Sequence, residues 1–331
     1  MPVIQLPQIF CPFPSSINRF AEEADNHDTM WVQQFGLVQT EKAKERFRRA
    51  KFAALSSRAF PTAGRKELFI AAEFNTWLFL LDDKNDESMF GKMDFLDMIY
   101  SAVMAILDNK MVIAPKEVSS LTESFADLWS RMRKISSPAW QKRFAQSMKD
   151  YLDACIWEAG NRIRQESPSV ADYIEKRPYT GALFADIELI EIVEKIYLPE
   201  RVYAHETVKQ LSLACNNVVC WANDIFSFDK ERRHGDVHNL VLVLKEERGL
   251  SLDEALDETA RMHDAEIERF IKLSKELPYF SEIINAELER YVVILRAWMR
   301  ANMDWSFSDT ARYQVHVTES ATGKWTFSEK I

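Results

Sequence analysis

The stretch Asn223-Asp224-Ile225-Phe226-Ser227-Phe228-Asp229-Lys230-Glu231 decides how this chain is read. Asn223, Ser227 and Glu231 are spaced i, i+4, i+8, so on a helix they stack along one face and bring an amide oxygen, a hydroxyl and a carboxylate to one place. The residues before them, Val208, Leu211, Cys215, Val218, Val219 and Ala222, keep an apolar stripe at helical spacing. The polar triplet therefore interrupts a face that belongs in the core. Buried polar atoms need partners, and a hard divalent cation that takes oxygen ligands supplies them.

A second acidic segment, Asp82-Asp83-Lys84-Asn85-Asp86-Glu87, repeats this logic far upstream. Asp82 and Asp86 are i, i+4 on a helix, with Asp83 beside them. They follow Phe74-Asn75-Thr76-Trp77-Leu78-Phe79-Leu80-Leu81, a run too apolar for a solvated surface. Carboxylates crowded at the end of a buried helix repel one another, and some hold a proton unless a cation neutralises them. Two such sites predict a metal cluster that binds an anion. Mg²⁺ suits them because it takes few protein oxygens and keeps positions for water and substrate phosphates.

These segments resemble the aspartate-rich motif DDxx(D/E) and the motif (N/D)Dxx(S/T)xxxE of class I terpene synthases, the second at every defined position. Arg177 lies 46 positions before Asn223, where that family has its pyrophosphate-sensing arginine, and Thr180-Gly181 resembles the linker and helix-break glycine beside it. Arg312-Tyr313 resembles the family's RY pair. Trp298, Asn302 and Trp305 are similar to the W, N and W that precede it in bacterial members, and Phe10-Cys11-Pro12-Phe13-Pro14 with Trp31 is similar to their opening segment. The chain departs from the family at Arg300-Ala301, where a glycine often precedes the asparagine. It also has two candidates, Asp86 and Glu87, for the final acid of the first motif, and threonine at 180, where aspartate is also common.

The resemblance implies an all-α class I terpenoid synthase bundle around a central active-site cavity. Three Mg²⁺ ions are expected on Asp82, with Asp83 or Asp86, and on Asn223, Ser227 and Glu231. Arg177, Lys230, Arg312 and Tyr313 are expected to hold the diphosphate of a linear prenyl substrate. Thr180, Gly181, Phe79 and Trp305 are expected at the reacting end, and residues 306–331 are expected to close over the cavity. Farnesyl diphosphate is the favoured substrate and geranylgeranyl diphosphate the alternative. A chain-elongating prenyl transferase would instead carry two aspartate-rich motifs. A non-enzymatic helical scaffold would leave the acidic clusters exposed and tolerate Asn223→Ala.

Outward from the motifs, composition agrees with long helices. The 331 residues are 47% apolar and contain only 8 glycines, about a third of average usage. A net charge of −9 argues against a nucleic-acid surface, so an anionic ligand needs bound cations to enter. Cys11, Cys155, Cys215 and Cys220 form no disulfide framework and no C-x-x-C, which fits a reducing cytoplasm. Met1 to Phe13 has no basic leader, and no apolar run approaches the roughly 18 residues of a membrane span. Glu231-Arg232-Arg233-His234 gives a single Glu-x-x-His, whereas a di-iron bundle needs two.

Helical periodicity begins near Ala21. Breaks are predicted at Pro61 to Gly64, Ala114-Pro115, Ser137-Pro138, Ser167-Pro168, Arg177-Pro178, Leu198-Pro199 and Arg248-Gly249, with a restart after Gly181. Capping-box spacings at Ser120/Glu123 and Ser251/Glu254 predict two helix starts. With no repeat, linker or composition shift, residues 1–331 are expected to form one all-α domain of ten or more helices, acting as a monomer or homodimer.

Overall fold

A computed structural model describes residues 5–87, 92–233, 235–313, 318–319 and 325–326, with residues 5, 86, 87, 92, 318, 319, 325 and 326 as backbone only. The side chain of Asp86, His234, and the C-terminal segment beyond Tyr313 apart from two short strands therefore lie outside the described residues. The described chain is helical: α1 (Ala21–Gln34), α2 (Glu41–Ala50), α3 (Phe52–Ala59), α4 (Arg65–Glu87), α5 (Lys92–Leu107), α6 (Ser119–Lys134), α7 (Pro138–Arg164), α8 (Val170–Thr180), α9 (Leu183–Val193), α10 (Glu200–Tyr203), α11 (Glu206–Arg233), α12 (Leu240–Arg248), α13 (Leu252–Lys275) and α14 (Glu282–Asp304). A single π-turn, Trp305–Asp309, follows α14. Two-residue strands at Gln5–Leu6, Thr318–Glu319 and Trp325–Thr326 pair antiparallel, the last in the middle.

Local chemistry explains most of the boundaries. Ser137 caps α7 by accepting from the Trp140 amide, with Pro138 at the first helical position, where a missing N–H costs nothing. Ser251 and Glu254 form the expected capping box of α13. Ser120 does not cap: α6 starts at Ser119, its N-cap is Val118, and Ser120 lies within the first turn. Pro178 also departs from expectation. It sits inside α8, which runs to Thr180, so the break falls at Gly181 and Ala182 and not at Arg177-Pro178.

One apolar core cluster extends from Leu6 to Tyr313. Around it α4, α3, α14, α11, α8, α7 and α9 pack in succession, and α9 returns to α4, so these seven helices close a ring. The 28-residue α11 is flanked by α13 and α14 and buries its apolar stripe, with Val208, Leu211, Cys215, Val218 and Ala222 all in the core. No helix among the described residues is long and apolar enough to cross a membrane.

Two buried acids outside the ring's interior set a pH dependence. Burial pushes Glu73 up to about 7 against the opposing pull of Arg131, and pushes Glu188 up to about 7 against Arg143. The folded chain thus keeps protons there that the unfolded chain has already lost. That contribution to stability is full below the ordinary glutamate value of 4.5 and is lost as pH rises through 7. Melting curves across this window are expected to show a smaller fall for Glu188→Gln than for the wild type. An unchanged slope would contradict the assignment.

Candidate active site

The ring of helices encloses a cavity, and α11 supplies one wall. Asn223, Ser227 and Glu231 line it together, as the i, i+4, i+8 spacing predicts. Their environments differ. Asn223 Oδ1 accepts from Arg177 Nη2 at 3.1 Å, and its amide nitrogen donates to the Tyr313 hydroxyl at 2.6 Å. Glu231 accepts from Asn239 Nδ2 at 2.8 Å. Burial, with the Asp224 and Asp236 carboxylates nearby, pushes Glu231 up to about 8. The Ser227 hydroxyl leans toward Glu231 but is buried without a partner in hydrogen-bonding geometry. An orphaned hydroxyl beside a carboxylate that resists ionisation fits an absent cation, and the donor set of amide, hydroxyl and carboxylate oxygens fits a hard one. Among the described residues no group of three or more His, Cys, Asp or Glu side chains is placed to hold an ion, so a site here draws on mixed oxygen donors.

The facing wall is α4. Phe79 and Asp82 line the cavity one turn apart, as expected. Asp83 does not; it borders a neighbouring groove against α2, with Arg46 4.0 Å away. Arg312 joins the two acids, with Nη2 3.1 Å from Asp82 and Nη1 2.7 Å from Asp83. Its guanidinium also lies 5.2 Å from the Phe79 ring centre, within cation–π range. Lys230 borders both the cavity and the groove.

The third wall is the break between α8 and α9. Arg177, Thr180 and Gly181 all face the cavity. The left-handed residue is Ala182, at φ 57°, while Gly181 has an ordinary φ of −77°. Gly181 is required by space instead. A Cβ there would stand 2.6 Å from Cys220 Sγ and 3.2 Å from Arg177 Nη1. Thr180 Oγ1 accepts from Arg177 Nη1 at 3.3 Å, tying the threonine to the arginine.

Asp224, which the motif spacing passes over, anchors this wall. Its carboxylate accepts from Arg177 Nε at 2.9 Å and Nη2 at 2.8 Å, from the Tyr173 hydroxyl at 2.9 Å and from the Leu240 amide at 3.1 Å. It is 1% exposed. Its sequence signal was its place as the defined aspartate of the motif. A second missed group is Asp236, which pairs with Arg162 at 2.5 Å and with His238 Nδ1 at 3.0 Å on the cavity wall. The Asp236-Val237-His238 pattern five residues beyond Glu231 was legible, but Arg162 comes from α7 and could not be paired with it along the chain.

The aromatic expectations change places. Trp305 is fully buried and does not reach the cavity. Its indole N–H donates to the carbonyls of Ala50 and Lys51, and its ring backs Phe79 at 5.3 Å and Tyr313 at 5.7 Å. Trp298 lines the cavity with Asn302. A π-turn starts at Trp305.

A closed ring of helices with oxygen donors on two facing walls and arginines between them defines a class I terpenoid synthase fold. The family description "Terpene synthase family 2, C-terminal metal binding" matches residues 73–269. The chain is similar to the (+)-T-muurolol synthase ((2E,6E)-farnesyl diphosphate cyclizing) of Roseiflexus castenholzii, at 37% identity over 93% of this chain and 94% of that one. It is similar to the germacrene A synthase of Nostoc punctiforme at 31% identity, covering 95% and 96%. The crystal structure of the linalool/nerolidol synthase from Streptomyces clavuligerus superposes with a TM-score of 0.82 at 26% identity, covering 90% of this chain and 100% of that one. The chain belongs to the terpene synthase family, whose metal-binding region it contains.

Proposed function

We propose that this terpene synthase ionises farnesyl diphosphate with the help of three Mg²⁺ ions and folds the resulting cation into a cyclic sesquiterpene, hydrocarbon or alcohol, with release of diphosphate. The observation that carries this reading is the convergence of Asp82, from α4, with Asn223, Ser227 and Glu231, from α11, on one cavity whose rim holds Arg177, Arg312 and Tyr313. Divalent ions on these walls supply the positive charge that a leaving diphosphate needs and that a chain of net charge −9 lacks. Farnesyl diphosphate is preferred to geranylgeranyl diphosphate because it is the substrate printed in the name of the T-muurolol synthase relative.

The protein's own groups divide the remaining work. Arg177, Lys230, Arg312 and Tyr313 donate hydrogen bonds to diphosphate oxygens and stabilise the charge that develops as the carbon–oxygen bond breaks. These groups lie against the expected metal ligands: Arg177 donates to Asn223 Oδ1, Tyr313 accepts from Asn223 Nδ2, and Arg312 pairs with Asp82 and Asp83. Arg312 and Tyr313 are the described residues through which the expected closure of 306–331 over the cavity would act. Below the rim, Phe79, Trp298, Leu78, Leu183 and Val219 exclude water. The aromatic faces each offer a passing cation about 0.5 to 2 kcal/mol.

Incubation with geranyl, farnesyl and geranylgeranyl diphosphates and Mg²⁺, followed by gas chromatography with mass detection, tests this. A cyclic C15 product from farnesyl diphosphate alone is expected; no diphosphate release from any of the three would overturn the reading. Gly181→Ala is expected to lower the rate of diphosphate release about tenfold or more, because a misplacement near 1 Å at a reacting centre can cost that or more. Pairing it with Cys220→Ala, which removes the clashing sulfur, should restore part of the loss. A fully active single variant would show that the close approach is dispensable.

A further inference from the structure

The wall of the cavity away from the rim carries one polar pair that none of the roles above uses. Asn75 lies seven residues before Asp82 on α4, hence on the same face but two turns, or about 10 Å, further along the axis. Asp186 meets it from α9, just beyond the break at Ala182. Asn75 Nδ2 donates to Asp186 Oδ1 at 3.1 Å and to the Ala71 carbonyl at 3.2 Å. Both residues line the cavity and are almost completely buried, at 2% and 4% exposure. The Asn75 carbonyl oxygen and the second Asp186 oxygen have no protein partner among the described residues, and neither is sealed off from the cavity.

A polar pair in an apolar wall is costly unless something completes its hydrogen bonds. A water molecule with two such partners is the smallest group that does so. Its position also suits the reaction. With diphosphate held at the rim, ionisation puts the first cationic carbon there, and the charge then moves along the folded chain into the depth of the cavity.

We propose that Asn75 and Asp186 hold the water that captures the final carbocation, so that this enzyme makes a terpene alcohol. The proposal rests on the terpene cyclase reading above. A lone pair of the water forms the new carbon–oxygen bond, and the oxonium loses one proton through the Asp186 carboxyl, which relays it toward the diphosphate released in the first step. Prenyl diphosphate and water thus become an alcohol and protonated diphosphate, with charge and atoms balanced. Burial pushes the Asp186 carboxyl well above its ordinary range. Its second oxygen, beside the Asn75 side chain, is placed to orient the water.

The test is the product ratio from farnesyl diphosphate in ¹⁸O-labelled water, for the wild type, Asp186→Leu, Asp186→Asn and Asn75→Leu. The expected result is a labelled alcohol from the wild type. Its share relative to hydrocarbon should fall about tenfold in either leucine variant and less in Asp186→Asn, in line with the loss of a transition-state contact. The ratio is read within the products formed, so a drop in total turnover does not disturb it, and Asp186→Leu and Asn75→Leu test the same water independently if one of them fails to fold. Diphosphate release with only hydrocarbon from the wild type, or an unchanged alcohol share in a folded leucine variant, overturns the water-holding role and leaves the cyclase standing. Absence of diphosphate release from the wild type overturns both.

Discussion

Asn223→Ala is expected to lower diphosphate release from farnesyl diphosphate by about a hundredfold or more, the scale seen when one preorganised electrostatic contact to a developing anion is removed. The asparagine stands where three demands meet. Its oxygen is the first of the three donors on α11, it receives Arg177 in the ligand-free state, and its amide nitrogen holds Tyr313 at the rim. Alanine keeps the helix and removes all three contacts. Folding should be little affected, because the lost bonds are few and lie at a cavity surface. A Mg²⁺ titration of activity should show a marked rightward shift with nearly unchanged melting temperature. Retained activity at ordinary Mg²⁺ would remove Asn223 from the metal site.

Asp224→Ala is expected to fail in a different way, through stability as well as activity. Four donors converge on that carboxylate, and the largest is the Arg177 guanidinium, itself only 11% exposed. Removing one partner of a buried ion pair leaves the other charge unpaired, a loss of about 3 to 5 kcal/mol. Tyr173 and the first amide of α12 lose their acceptor at the same time. The melting temperature should fall by roughly 10 °C, given 2 to 4 °C per kcal/mol in chains of 150 to 250 residues. Arg177 would also swing out of register with the cavity and carry diphosphate release down with it. Asp224→Asn, which keeps an acceptor oxygen but not the charge, should lie between. A variant with normal melting and normal turnover would mean that Arg177 is held by Thr180, Asn223 and the Cys220 carbonyl alone.

The two variants separate a ligand from a positioning residue next to it in sequence. Asn223 and Asp224 point to different sides of α11, about 100° apart. One faces the cavity and the other faces α8 and α12. Spacing along one helix identified the first because Ser227 and Glu231 repeat its phase. The partners of Asp224 come from α8 and from the start of α12, so they became visible only when those helices packed against α11.

Much of the fold was legible for the same reason. The apolar stripe of α11, the serine caps of α7 and α13 and most proline and glycine breaks are local features, decided within a turn or two of backbone. Where local signals misled, packing had overridden them. Pro178 was tolerated inside α8, whose Pro178 carbonyl is held by the Asn216 side chain from α11. Trp305 was expected at the cavity, and the hydrogen bonds of its indole to the carbonyls of Ala50 and Lys51 hold it in the layer behind Phe79.

The sequence by itself determined the helical class, the two oxygen-rich segments and their bias toward a hard cation, because each is a statement about side chains one to eight residues apart on a single helix. Only the tertiary structure decided which acid of the Asp82-Asp83 pair faces the cavity, why residue 181 has no side chain, how Asp236 finds Arg162, and that Asn75 meets Asp186 below the rim. Those contacts join residues dozens to more than a hundred positions apart. Which of them form is set by how seven helices close into a ring, and no periodicity along the chain encodes that closure.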